Sequence, residues 1–208
     1  DQFRIDQFEK EFVEKWGNND DMPSVITVII PNDHGAGDRP EAGYPFRESY
    51  MADNDLAVGR IVEFLSHSPY WKEMMIIITE DDSQNGVDHV DAHRSILMVI
   101  SPWVKRNHVS HMHYSFGSIF KTMWNVLGIP YLNQYDAAAI DFGDFFTDTP
   151  DFTPYTAVPV DERIFVPQMA LDPFDENFNW RALEETPELD NVQDFIDDSK
   201  EQDEYRLE

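Results

Sequence analysis

The sequence predicts an α/β layered domain, on three observations. Short apolar runs at 25–30 (VITVII), 74–79 (MMIIIT) and 95–100 (SILMVI) lack polar alternation. That pattern suits strands covered on both faces in a parallel sheet. Stretches with helical spacing separate or follow these runs. Strand, helix, strand, loop, strand, helix is the order of a layered α/β domain. Finally, polar clusters follow the first two runs, at the carboxyl strand ends where such sheets place ligand sites.

Each element has its own signal. Residues 3–16, with Phe3, Phe8, Phe12, Val13 and Trp16, predict an amphipathic helix. The first apolar run follows, then the loop PNDHGAGDRP. Met51, Leu56, Val58, Ile61, Val62 and Leu65 recur at helical spacing, and Pro69 stops the pattern. Beyond the third run, Phe116, Ile119, Phe120, Met123, Trp124 and Leu127 form one stripe, with Gly128 as its C-terminal stop. Residues 141–208 differ in character: 20 acids stand against 4 bases, with repeated Pro and aromatics. They read as an extended wrap and acidic tail appended to a domain over 1–140.

Composition excludes several function classes. The 208 residues are 41% hydrophobic and 13% aromatic, enough for a core. A formal charge of −26 repels a phosphate backbone, so nucleic-acid binding through a basic face is excluded. The same surface favours solubility and cation recruitment. No apolar run is long enough to form a transmembrane segment. Without cysteine there is neither a disulfide nor a thiolate zinc site. The absence of an initiator Met and of a signal-peptide pattern leads us to expect a processed product or a fragment.

The stretch EDDSQNGVDHVDAHRS concentrates ligand-type side chains. Asp33 and His34 follow the first apolar run, Asp81 and Asp82 the second, and His89 and His93 precede the third. Asp and His suit zinc, manganese, magnesium or iron, and Asp-rich sites also suit calcium. Adjacent Asp81 and Asp82 resist joint ionisation in a dry site unless a cation is present. An Asp-Asp pair after a strand also serves as a turn or helix cap. The triplet His108, His111 and His113 reads either as a metal tract or as packing before the next helix. There is no G-x-S-x-G elbow, dinucleotide fingerprint or P-loop; Gly35 and Gly37 let the 31–40 loop bend.

Residues 22–160, including IIPNDHGAGDRPEAGYPFRESYMADNDLAVGRIVEFLSHSPYW, TEDDSQNGVDHVDAHRS, YSFGSIFKTMWNVLGIPYLNQYDAAA and DFTPYTAVP, resemble part of a known family. It is the phosphoesterase family of bacterial acid phosphatases and phospholipases C, in the alkaline phosphatase superfamily, and the match is to its C-terminal half. The resemblance implies an α/β/α sandwich with a mostly parallel central sheet and hydrolysis of phosphate esters. It implies one or two divalent metal ions, with zinc, manganese, calcium and iron all open. Matched by motif, Asp33, Asp81, Asp82 and His93 fall at metal positions, while His34, Asn85, His89 and Arg94 are substrate-contact candidates. Gly37 stands where a second-site His often follows the Asp four residues earlier, which leaves one ion open as well as two. Export to the periplasm or beyond is also implied.

In that family the Ser or Thr nucleophile comes from the N-terminal half, and no Ser or Thr here matches its position. Ser83 lies inside the acidic motif rather than at a helix start. The expected function is therefore metal-dependent phosphate-ester hydrolysis, with the nucleophile supplied by an N-terminal half or a companion chain. This chain alone is expected to be inactive. The alternatives are a non-catalytic phosphoesterase-like module in an assembly and a calcium-stabilised surface domain.

Overall fold

The structure is a computed structural model that describes residues 1–17, 22–81 and 94–170. Its described residues form a mixed α/β arrangement of four α-helices and one two-stranded sheet. In chain order these are α1 (Gln2–Trp16), α2 (Glu48–Ser66), β1 (Ile76–Thr79), β2 (Leu97–Ile100), α3 (Phe116–Leu127) and α4 (Gln134–Ala138). No helix among the described residues is long and apolar enough to cross a membrane.

The main core is the seam between α1 and α2. Ile5 and Phe12 of α1 meet Ala57, Ile61 and Leu65 of α2, and Phe8, Trp16, Ile30, Phe64, Tyr70 and Ile76 close around them. Phe12 anchors the seam, with Phe64 5.2 Å, Trp16 5.5 Å and Tyr70 5.8 Å away, all edge-on. Edge-to-face pairs like these set a ring's positive rim against a neighbour's negative face. Most of the residues that the helical spacing singles out do face inward, Phe8, Phe12 and Trp16 of α1 and Ile61, Val62 and Leu65 of α2 among them, but two do not. Val13 is 55% exposed and Met51 59%, whereas Asp53, Ala57 and Ile61, spaced four apart, face inward. The small Ala57 lets α1 approach closely, so the contact line runs through it.

A second, smaller core holds Ala42, Tyr44, Tyr50, Phe165 and Ala170. Tyr44 and Tyr50 stack at 4.2 Å, and Phe165 leans on Tyr44 at 4.9 Å. Gly43 makes this junction possible: its φ is +87°, and a Cβ there would lie 2.4 Å from the Val166 carbonyl oxygen. Only glycine meets both conditions at low cost. Residues 141–170 wrap the domain and contribute core side chains, Phe142 and Phe165 among them. The wrap is tied down by Thr147 N–H to Trp103 O (2.9 Å), Asp151 N–H to Pro102 O (2.9 Å) and Tyr155 N–H to Ser66 Oγ (2.9 Å).

The sheet departs from the sequence expectation. β1 and β2 pair antiparallel, Ile76 opposite Ile100 and Thr79 opposite Leu97. Their alternation-free sequences do reflect two apolar faces, but both strands are half-exposed rather than enclosed. The run 25–30 is extended without being a strand, because no backbone–backbone hydrogen bond reaches it among the described residues. Ile29 is 74% exposed, and Val25, Ile26 and Val28 are also open. Helix α3 shows the same signature. Its buried residues are Gly117, Ser118 and Thr122, while Phe116 and Phe120 on the apolar stripe are about 40% exposed. A Cβ on Gly117 would lie 3.0 Å from Tyr135 O, so the small-residue face is the one that fits against α4.

The α1–α2 seam yields a face-specific prediction. Phe12→Ala is expected to cost about 3–5 kcal/mol of unfolding free energy, while Val13→Ala stays within about 0.5 kcal/mol. Urea titration of both variants checks it; equal losses would contradict the observed helix face.

Candidate functional site

The loop after the first apolar run folds into a 3-10 turn, Pro31–His34. Two adjacent residues of α2 hold it on either side of Pro31. Asn54 Nδ2 donates to the Ile30 carbonyl at 2.6 Å, and Asn32 Nδ2 donates to Asp53 Oδ2. Asp1 Oδ2 accepts the Asn32 backbone N–H at 3.0 Å and Asn54 Nδ2 at 3.1 Å. The Gly35 N–H closes the turn onto Asn32 O at 3.0 Å.

Asp53 is fully buried and is the hub of this junction. Besides Asn32, its carboxylate accepts Gln2 Nε2 at 2.6 Å and Tyr44 Oη at 3.1 Å. A buried carboxylate survives only when its oxygens are satisfied, as these are. Burial, reinforced by the Asp53 charge, pushes the Tyr44 hydroxyl pKa far up, so it remains a donor.

The turn presents Asp33 and His34 half-buried, and neither side chain makes a hydrogen bond or ion pair among the described residues. An oxygen ligand and a nitrogen ligand on consecutive residues, without partners among the described residues, fit the chemistry of a divalent cation. Asp81 sits exposed just past β1, and Arg94 exposed just before β2. The antiparallel register sets them at the same end of the strand pair, where Ser95 Oγ donates to Glu80 O at 3.3 Å. Asp82, Asn85, His89 and His93, together with Ser83, lie outside the described residues. Among the described residues no three His, Asp or Glu gather to hold a metal ion. The described part of the proposed set is thus Asp33, His34, Asp81 and Arg94.

The histidine triplet divides. His108 Nε2 lies 3.4 Å from Asp144 Oδ2 and edge-on to Phe145, while His111 and His113 are exposed. Asp144 also accepts Ser110 Oγ at 2.6 Å and the Tyr114 hydroxyl. Those hydroxyl donors hold its pKa below the usual carboxylate range. This knot fastens the 105–114 segment to the start of the wrap, a packing role. Asp136 does similar work at α4. Burial opposes its ionisation, but the Leu132 and Asn133 N–H groups at 2.8 and 3.0 Å and the Trp124 indole at 2.8 Å prevail, and its pKa is lowered.

Sequence reasoning missed Asp53. Its signal was present: an acid four residues before Ala57 and eight before Ile61, on the face that turns inward. No family model, curated protein or solved structure matches the chain.

The carboxylate knots predict an acid-sensitive fold. Unfolded Asp titrates near about 3.9, and folded Asp144 and Asp136 titrate lower. Their stabilisation is therefore complete at neutral pH and is lost as pH falls from about 5 through the folded values. Asp144→Asn should lower stability at pH 7 and flatten this acid limb relative to the parent, read by denaturant titration from pH 7 to 3. A limb as steep as the parent's would contradict the assignment.

Proposed function

We propose that this chain supplies part of the metal and phosphate site of a phosphoesterase with the α/β/α architecture of the alkaline phosphatase superfamily. The nucleophile comes from an N-terminal half or a companion chain. The observation that carries the reading is the Asp33–His34 turn: two ligand-type side chains, half-buried and without a partner among the described residues, on a backbone fixed to α2. The resemblance of the surrounding residues to that family supports it.

Asp33, Asp81, Asp82 and His93 would hold one or two divalent ions, drawn from zinc, manganese, calcium or iron. A bound ion supplies charge to a phosphoryl oxygen and lowers the pKa of an attacking oxygen. His34, Asn85, His89 and Arg94 are the groups for orienting the phosphate, with Arg94 offering a planar fork to two of its oxygens. Held in one geometry, such groups favour charge developing in the transition state over the resting ester. A second reading, a non-catalytic phosphoesterase-like module in an assembly, draws on the half-exposed stripe of α3.

Hydrolysis of p-nitrophenyl phosphate by the chain together with its companion segment tests the reading. Chelation should abolish turnover, and Asp33→Asn and Asp81→Asn should each lower kcat/KM by about 100-fold with circular dichroism unchanged. Turnover that survives chelation and both substitutions would contradict it. No turnover with any companion would favour the assembly module.

A further inference from the structure

We propose that Asp53 and Asn54 are positioning residues, which set the Asp33–His34 turn in its ligand-receiving geometry. The inference rests on the functional reading above and extends it to two residues that would touch neither metal nor phosphate.

The geometry singles out this pair. Residues 30 and 32 flank a proline whose ring fixes φ, so pinning both sides of Pro31 leaves the turn little freedom. Asn54 pins the first side through the Ile30 carbonyl at 2.6 Å, and Asp53 pins the second through the Asn32 amide. The two pins are consecutive residues of a regular helix, so their separation is fixed by helix geometry. Asp53 is itself held by Tyr44 Oη at 3.1 Å and Gln2 Nε2 at 2.6 Å, and it is fully buried among them. Helix α2 carries this pair on its 19-residue frame, whose far turns are locked into the α1 core. The turn thus inherits the rigidity of the core, while Asp33 and His34 make no hydrogen bond or ion pair among the described residues. Support groups behind ligands commonly change metal affinity by about 10–100-fold when removed.

The test uses the full 208-residue chain and Mn²⁺ alone as probe. Asn54→Ala and Asp53→Asn are compared with Phe142→Leu, a substitution at a buried residue of the wrap that packs on Tyr114 and Phe145, chosen to lower the melting temperature alike. Paramagnetic broadening of the His34 ring proton is followed against Mn²⁺, and hydrogen exchange of the Gly35 amide is followed without metal. The expected result is that both pin variants need at least about tenfold more Mn²⁺ to broaden His34 and exchange Gly35 at least tenfold faster, whereas Phe142→Leu changes neither. Unchanged broadening and exchange in the pin variants, or equal changes in Phe142→Leu, would overturn the proposal. Absence of broadening in the parent chain would count against the metal reading itself. Gly35 exchange then decides alone: faster only in the pin variants upholds the positioning role, and unchanged overturns it.

Discussion

One buried carboxylate organises the described structure. Asp53 sits in the second turn of α2 with no exposure to solvent, and its oxygens collect donors from α1, from the 31–34 turn and from Tyr44. Each partner belongs to a different segment, so a single charge sets where α1, the turn and the second core sit relative to α2. Removing that charge would leave several buried donors without acceptors, each costing about 1–3 kcal/mol. A hydrophobic replacement could fill the space, but it could not bring three segments to one point. The apolar seam stabilises the α1–α2 pair; Asp53 specifies how the rest joins it.

The surface completes the picture. A chain this acidic should keep its apolar residues covered, yet the 25–30 run, the β1–β2 pair and the α3 stripe leave theirs half-open. Strands of such sequence normally have neighbours on both edges and cover on both faces. On the proposed reading, another segment supplies that cover and the nucleophile together. The same physical deficit then accounts for the open sheet and the incomplete site.

How much of this was legible follows from what each signal encodes. Helical spacing located α1, α2 and α3, and Gly128, at φ +68°, does end α3. Spacing gave existence but not orientation, because the inward face depends on what the helix meets. On α2 the small Ala57 and the polar Asp53 are buried while Met51 is exposed, and on α1 Val13 is exposed beside the buried Phe12. The runs at 74–79 and 95–100 did become strands, trimmed at their ends, but apolar continuity says nothing about strand direction. The run at 25–30 shows the converse limit: β-branched composition favours an extended backbone, while a strand requires a partner. For the site, the sequence placed Asp33 and His34 after one apolar run and Asp81 after another. It could not reveal that an acid within α2 would hold the first of these loops, since that contact joins residues distant in the chain.

The most direct measurement of the account is the intact mass of the native polypeptide, with a peptide map of its N-terminus and of any tightly associated chain. The account predicts a mass well above 24.3 kDa, or a companion that carries a Ser or Thr nucleophile. A native chain of 24.3 kDa that stands alone and is catalytically silent would contradict it.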